Sequence, residues 1–349
     1  GGLVKLDEEF QAYISQFGLL DKLKFARTNP QLPKEESNLI IELAPLLEQF
    51  IAELFNIQKE VDESVSSQKD LAPIYKCKRL FVQRQAAKSF SEESLTKIQE
   101  CMELLQSEGI DLEDELSFAI AVNEATDSNN AKLLEAAKVY AGWCLFGEEG
   151  KKKWKDSVLF KLPKKMDFDR LVDTNETSTG HHESKHFINR NAFELQDNGG
   201  TRKQVLDHAN YCIHCHNQGK DSCSKGIKDK ETNSYKVNDL KVTLAGCPLE
   251  EKISEMNLLK TQGSTIGALA TAVIDNPMLA ATGHRICNDC MKSCIYQKQE
   301  PVNIPMVETG ILKDVLDLPW GFEIYSLLTR WNPLNFKRPL PKDDNNKKI

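Results

Sequence analysis

Apolar residues recur at steps of three and four through the first 165 residues, with almost no alternation of the strand type. This spacing follows the 3.6-residue turn of an α-helix and predicts helices throughout that part of the chain. The widest apolar stripe covers residues 39–55, and further helices are predicted over 92–109, 112–125 and 131–146. Nothing in these stripes pairs a nucleophile with a base. We therefore expect residues 1–165 to form a helical bundle whose role the sequence does not reveal.

The pattern loses its helical period between residues 166 and 200, which read as a polar linker. A run of lysines at 151–155 precedes it and is typical of a solvated surface. Three imidazoles follow within six residues, at His181, His182 and His186. Such a tract can hold a metal ion, although a histidine-bearing loop without a ligand is the more common case.

Helical spacing returns in residues 201–317, with predicted helices over 202–209 and 265–274. Cys247 is followed by Pro248 and two acidic residues, an arrangement that predicts the start of a helix whose free N–H groups face the cysteine. A last helix is predicted over 318–331, inside a connecting segment 318–349. The fold class expected for the whole chain is all-α.

Charge and hydropathy exclude several classes of protein. The formal net charge is -7, with an isoelectric point near 5.7, whereas nucleic-acid-binding surfaces normally carry excess Lys and Arg. The longest apolar run, residues 265–274, is far shorter than a membrane span, and the amino end lacks a signal-peptide pattern. We therefore expect a cytoplasmic protein that binds neither nucleic acid nor membrane.

Seven of the ten cysteines lie within 83 residues, at Cys212, Cys215, Cys223, Cys247, Cys287, Cys290 and Cys294. In a reducing compartment, paired CxxC units indicate metal or redox chemistry before they indicate disulfides. The remaining three, Cys77, Cys101 and Cys144, stand alone in apolar helical patterns and are expected to be small buried hydrophobic residues.

Two metal chemistries remain open from the count and spacing. Zinc takes four ligands, which the two CxxC pairs Cys212, Cys215, Cys287 and Cys290 could supply, but this leaves three cysteines unused. Seven thiolates and one further ligand would instead hold two four-iron, four-sulfur clusters. A redox-active thiol pair, or incidental cysteines, is the third interpretation.

The order CxxC, C, Gly-Cys-Pro-Leu, then Arg-Ile-Cys-x2-Cys-x3-Cys and Glu-Pro-Val-Asn-Ile-Pro-Met-Val-Glu308 resembles a known module over residues 205–310. It is similar to the α-helical ferredoxin domain of the glutamate synthase small subunit and of dihydropyrimidine dehydrogenase. The resemblance implies an electron-transfer domain over 201–317 with two four-iron clusters. It leaves residues 1–165 unexplained.

Two interleaved sets of ligands follow from this resemblance. It implies that Cys212, Cys215, Cys223 and Cys294 hold the first cluster. It implies that Cys247, Cys287, Cys290 and Glu308 hold the second. Seven residues separate Cys215 from Cys223, and 23 separate Cys223 from Cys247, both more than in the resembling proteins. This polar insertion is expected to loop out on the surface, and it makes Cys223 the least secure assignment.

In the resembling proteins an FAD- and NAD(P)-binding domain follows such a module. The chain contains no Gly-x-Gly-x-x-Gly fingerprint, so we expect these cofactors only on a missing carboxyl-terminal part or a partner subunit. We therefore expect the chain to be the iron-sulfur part of a larger oxidoreductase. No catalytic residue is assigned in this chain, and the electron acceptor is unknown. The alternative is a zinc-stapled helical interaction protein without redox activity.

Overall fold

The structure is a computed structural model, which describes residues 2–185, 189–195 and 197–341. The chain is mainly helical, as the apolar spacing predicts. It departs from a purely helical fold in the linker, where β1 (Thr174–Glu176) pairs antiparallel with β2 (His182–Ser184). Among the described residues no helix is both long enough and apolar enough to cross a membrane.

The chain divides into two compact units whose limits differ from the predicted domains. One unit combines the described parts of 2–64 and 164–341, and the other comprises residues 65–163. The amino-terminal helices therefore belong to the same unit as the cysteine-rich segment. Residues 1–165 do not form one separate bundle.

The first unit contains the amino-terminal helices and all of the helices that follow the linker. They are α1 (Gly2–Ser15), α2 (Leu20–Thr28), α3 (Pro33–Phe55), the start of α4 (Gln58–Lys69), α11 (Arg202–Tyr211), a 3-10 turn (Cys215–Gln218), α12 (Ser222–Lys225), α13 (Ile253–Thr261), α14 (Ile266–Val273), α15 (Leu279–Thr282), α16 (Asp289–Lys292), α17 (Ile304–Leu316) and α18 (Gly321–Leu328).

The second unit is a small helical bundle, and polar side chains cap the starts of some of its helices. Its elements are the remainder of α4, α5 (Ala72–Cys77), a π-helix (Lys78–Ala86), α6 (Ala87–Ser89), a 3-10 helix (Glu92–Lys97), α7 (Ile98–Ser107), α8 (Glu115–Asp127), α9 (Ala131–Phe146) and α10 (Glu148–Lys153). Asp114 accepts hydrogen bonds from the first turn of α8, and Asn130 does so for α9. These local caps explain why the predicted helix limits agree closely here.

Helix α3 packs against α14, which lies more than 200 residues later in the chain. A β-carbon on Gly267 would stand 2.7 Å from the carbonyl oxygen of Ala44, so only glycine allows this close approach. Glu48 of α3 is buried and its Oε2 accepts hydrogen bonds from the Ser264 hydroxyl (2.9 Å) and from Thr265 N (2.6 Å) and Gly267 N (3.0 Å). A carboxylate from α3 thus caps α14 and joins the two parts of the first unit.

The segment after α18 closes onto the amino-terminal helices. Trp331 is fully buried, its ring lies 6.0 Å from that of Phe10, and its indole N–H donates to Asp7 Oδ1 at 3.1 Å. Asp7 also pairs with Arg27 at 2.6 Å. Residues 318–341, expected from the sequence to be a connection, are therefore part of the core of the first unit.

One predicted helix start is wrong. Residues 248–249 form a turn, Glu250 follows with φ 52°, and α13 begins only at Ile253. The turn still directs the backbone N–H groups of Leu249 and Glu251 at the thiol of Cys247. Pro248 thus marks a turn around the cysteine in place of a first helical turn.

The polar insertion between Cys223 and Cys247 folds back on itself. Ile227 N donates to Leu244 O at 2.9 Å, and Lys236 N donates to Ile227 O at 2.8 Å. Gly246 has φ +83°, and a β-carbon there would lie 2.4 Å from Gly226 N. The insertion therefore leaves and returns at one point, which keeps its two flanking cysteines close together.

Candidate functional site

Cys212 and Cys294 are brought together by the aromatic residues beside them. The rings of Tyr211 and Tyr296 stack with centroids 4.4 Å apart and planes 11° from parallel. The Tyr296 hydroxyl donates to Tyr211 O at 3.2 Å, and Tyr211 in turn donates to Glu300 O at 2.9 Å. These contacts hold the end of α11 against the loop after α16.

In the first predicted set, Cys294 adds to the raised pKa of each of the other three cysteines. Burial raises the pKa of the Cys212 thiol to about 12, and Cys215 and Cys294 add to the shift. Burial likewise raises the pKa of Cys215 to about 11 and that of Cys223 well above its usual value, with Cys294 contributing to both. We call these four residues the first cysteine group.

Asp221 lies beside the first cysteine group, although its sequence context does not single it out. The Cys223 thiol donates to Asp221 Oδ1 at 3.0 Å. Burial, followed by the charge of Glu255, raises the pKa of Asp221 to about 6. The position of Asp221 two residues before Cys223 is the only signal that the sequence offered.

Backbone N–H groups point at the thiols of this group. His214 adopts φ 52°, and its N–H lies 3.4 Å from Cys212 Sγ. The N–H groups of Tyr296, Val302 and Ile295 oppose the effect of burial on the pKa of Cys294. Such donors stabilise negative charge on sulfur, which is the form that binds metal.

The segments that carry the two predicted sets are joined directly by hydrogen bonds. Cys247 N donates to the carbonyl oxygens of Cys223 and Ser224, at 2.9 Å each. Gly246 N donates to the hydroxyl of Ser293, which is buried next to Cys294. The approach of Cys223 to Cys247 thus positions residues of both sets at once.

The second predicted set lines a cavity of about 610 Å³, to which Cys247, Cys287, Cys290 and Glu308 all contribute. Burial raises the pKa of Cys247 to about 11, and it raises that of Cys290 further, with Glu308 and Cys247 adding to the latter shift. We call these four residues the second group. Cys287 is exposed at the mouth of the cavity, whereas Cys290 is buried.

Glu308 lies inside α17 and is 6% exposed. Burial raises its pKa to about 10, and the neighbouring carboxyl group of Glu251, with which it shares a hydrogen bond, adds to the shift. Glu251 is also buried and lines the same cavity, so it is a second acidic residue that the sequence did not single out. Two carboxyl groups held together without a cation favour the form that keeps a proton.

Sulfur donors and buried polar atoms decide whether these groups suit a metal cluster. Asn288 Oδ1, next to Cys287, is buried without a hydrogen-bond partner among the described residues, and the fully buried side chain of Asn257 lies beside the Cys212 thiol, whose pKa it lowers against the effect of burial. A buried polar atom without a hydrogen-bond partner destabilises the folded protein. Soft thiolates with N–H donors around them are the ligands that iron-sulfur clusters use. The residues therefore fit such a group.

A site for one metal ion requires its ligands to lie closer together than the ligands of a four-iron cluster. Within the described ranges, no three or more His, Cys, Asp or Glu side chains are arranged to hold one metal ion. Thiolates on one tetrahedral zinc stand about 3.8 Å apart, because each Zn–S bond is about 2.3 Å long. Thiolates on a four-iron cluster bind different irons and stand farther apart. The charges that raise the pKa of Cys290 are those of Glu308, Cys247 and Cys287, of which only Cys287 belongs to the zinc interpretation.

The other candidate residues lie outside these two groups. His181 and His182 are exposed on the β1–β2 hairpin, and His186 falls outside the described residues. Cys77 and Cys144 are buried, as expected for small hydrophobic residues, while Cys101 is half-buried. Burial raises the pKa of Cys77 to about 12, which suits an inert thiol.

Residues 1–56 match the family model described as the RP005 N-terminal alpha-helical domain. The uncharacterized protein RP005 of Rickettsia prowazekii is 31% identical over 283 residues, which make up 75% of this chain and 94% of that protein. The chain therefore belongs to the RP005 family.

A second relative is the uncharacterized protein RP006 of the same organism, which is 68% identical over 72 residues. These residues are 21% of this chain and 10% of RP006, so the chain spans about a tenth of that relative. No solved structure matches the chain.

Proposed function

We propose that the chain is an electron-transfer protein with two four-iron, four-sulfur clusters, one on each group of four residues. The observation that supports this most strongly is the crossing of the two sets. Cys294 interacts with Cys212 and Cys215, while Cys290, four residues earlier, interacts with Cys247 and Glu308. A single zinc site on the two CxxC pairs would require a different pairing.

The clusters would exchange single electrons when bound, which is the chemistry that iron-sulfur centres supply. The chain's own residues set the surroundings. Peptide N–H groups facing Cys212, Cys247 and Cys294 would stabilise the added negative charge of the reduced state. Glu308, as a harder ligand than thiolate, would make the second site unlike the first.

The hydrogen bonds from Cys247 N to the carbonyl oxygens of Cys223 and Ser224 place ligands of both sites on adjoining backbone. Such closeness is required for an electron to pass from one site to the other. The redox partner that the resemblance implies is a domain or subunit with FAD and NAD(P). The α-helical ferredoxin-like assignment of residues 201–317 is part of the same proposal.

Metal analysis of anaerobically purified protein tests the proposal. We expect about eight iron atoms and about eight acid-labile sulfides per chain, with the broad visible absorption of such clusters. Stoichiometric zinc without sulfide would overturn it.

Variants of single cysteines sharpen this test. Replacing Cys212 by Ser should remove about half of the iron and the signals of one cluster, because four ligands hold each cluster. Cys144→Ser is the matched control, since Cys144 is a buried cysteine in the other unit. Equal iron loss in both variants would contradict the assignment of ligands.

A further inference from the structure

A second cavity, of about 600 Å³, lies beside the first cysteine group and has no cysteine in its wall. The wall includes the first turn of α3, residues His216 to Lys225 in part, and the start of α13 with Glu255. Because no proposed cluster ligand lines it, its function can be considered separately from iron-sulfur chemistry.

His216 offers a hydrogen-bond donor to this cavity. The side chain is 4% exposed, and its Nδ1 lies 2.6 Å from Ser254 Oγ. The same oxygen already accepts the backbone N–H of His216 at 3.2 Å, so the Ser254 hydroxyl hydrogen is available for Nδ1. With the Ser254 hydroxyl donating to Nδ1, the ring carries its proton on Nε2, which has no partner among the described residues.

Glu255 offers an acceptor in the same wall. It is 3% exposed, and its Oε1 accepts the Ser37 hydroxyl at 2.5 Å. Its Oε2 has no hydrogen-bond partner within the described part of the chain. The wall thus presents one buried N–H donor and one buried carboxylate acceptor, both unsatisfied.

The lining of the cavity carries five lysines and five acidic residues, and four of the lysines lie at its rim, unpaired among the described residues. Lys34, Lys220, Lys225 and Lys337 line it, are exposed, and form no salt bridge with a described residue. Most of the remaining charges are engaged. Lys252 lies 3.3 Å from Asp275 and 3.8 Å from Glu36, and Asp221 accepts the Cys223 thiol, while Glu250 is exposed at the edge.

Helix α3 adds to the positive potential. It is 23 residues long, and no side chain caps its first turn, which lines the cavity through Pro33 and Lys34. Uncapped N–H groups and the helix dipole favour an anion at this end. The unpartnered Nε2 of His216 is the independent sign that a ligand completes the site.

We propose that this cavity binds inorganic phosphate in a form that carries a proton. Phosphate oxygens would accept hydrogen bonds from His216 Nε2 and from the rim lysines, while the phosphate hydroxyl would donate to Glu255 Oε2. Inorganic phosphate keeps at least one proton at neutral pH. Sulfate has none, and a phosphate monoester, whose second pKa is about 6, has mostly lost it. The carboxylate of Glu255 would therefore reject both.

Titration calorimetry of the full chain at pH 7.5 and constant ionic strength tests this selectivity. We expect one saturable site for sodium phosphate, and binding of sodium sulfate and of glycerol 3-phosphate weaker by at least about tenfold. Equal binding of phosphate and sulfate would reduce the site to a general basic patch and overturn the proposal, as would the absence of saturation.

Substitutions of the rim lysines and of the buried Glu255 test their contributions to phosphate binding separately. Lys220→Ala combined with Lys225→Ala should weaken phosphate binding about tenfold, and Lys230→Ala, an exposed lysine outside the lining, should not. Glu255→Gln replaces an acceptor with a donor, so it should weaken phosphate binding and strengthen sulfate binding. If Glu255→Gln does not fold, the lysine variants and the sulfate comparison still decide the question. An unchanged affinity in the double lysine variant would contradict the site.

Discussion

Replacing Glu48 by Ala should destabilise the first unit, because Glu48 joins its amino-terminal and carboxyl-terminal parts. The substitution removes the acceptor of three hydrogen bonds, from the Ser264 hydroxyl and from the N–H groups of Thr265 and Gly267. All three donors lie at the buried start of α14.

The magnitude follows from two opposing effects. Each buried donor left without a partner costs about 1–3 kcal/mol of stability. The loss of three partners therefore sets an upper limit on the destabilisation of several times that cost. Against this, burial raises the pKa of Glu48 despite its N–H donors, which means that the folded protein bears a cost for the charged form. We expect a net loss of about 3 kcal/mol for Glu48→Ala. Glu48→Gln avoids the charge and keeps one acceptor, and should cost about 1–2 kcal/mol.

The raised pKa also fixes the sign of the pH dependence. A carboxyl group with a raised folded pKa contributes its stabilisation fully below the ordinary value of 4.5, and loses it as the pH rises through the folded value. The stability of the wild-type protein relative to Glu48→Gln should therefore be greater at mildly acidic pH than at pH 8.

Hydrogen exchange read by mass spectrometry over residues 261–275, together with urea unfolding, provides the measurement. In Glu48→Ala the amides of α14 should exchange about 100-fold faster than in the wild type, since 1.4 kcal/mol corresponds to a factor of ten. Glu42→Ala is the control on the same helix, because Glu42 is exposed and its pair with Lys22 contributes at most about 1 kcal/mol. Unchanged exchange in Glu48→Ala, or an equal effect of Glu42→Ala, would refute the reasoning.

Three further substitutions test other contacts. Glu308→Ala should alter the spectrum or potential of one iron-sulfur cluster only, and an unchanged pair of signals in electron paramagnetic resonance would remove Glu308 from the ligands. Gly267→Ala should lower the urea midpoint by the equivalent of about 1–3 kcal/mol, because its β-carbon would stand 2.7 Å from Ala44 O; an unaltered midpoint would show that α3 and α14 can separate freely. Asp7→Asn should cost about 2 kcal/mol at neutral pH. Burial raises the pKa of Asp7, but Arg27 and the Trp331 N–H lower it more, so the wild-type advantage is present above the ordinary value of 3.8 and is lost as the pH falls below it. A thermal-melt difference that does not change with pH would contradict this.

Helices were the most predictable part of the fold, because helical spacing and caps are local. The helix predicted over 131–146 begins and ends as expected, and Asn130 caps it. The prediction of a helix start at Cys247 was wrong, because hydrogen bonds to the carbonyl oxygens of Cys223 and Ser224 shape the turn there. No local sequence pattern reveals these bonds. The limits of the two compact units differ from the predicted domain limits for the same reason, since Glu48 meets residues 264–267 only in the folded unit.

The candidate site could be predicted in part from the sequence. Cysteines are rare enough for seven of them within 83 residues to be noticed, and the family resemblance supplied their division into two sets. Asp221 and Glu251 went unnoticed because they are two among 52 acidic residues, and only burial beside thiols distinguishes them. The cavity of His216 and Glu255 could not be foreseen, since its wall joins α3 to residues more than 170 positions away.

The sequence by itself determined that the chain is mainly helical and which cysteines are candidates for metal binding, because backbone period and side-chain chemistry belong to each residue and its near neighbours. The tertiary structure alone decided that the amino-terminal helices form one compact unit with the segments after the linker, through Trp331 on Phe10 and Glu48 at the start of α14. It also decided which acids and which histidine face a cavity. These are contacts between distant residues, and their free energy comes from burying matched surfaces that exist only once the chain has folded.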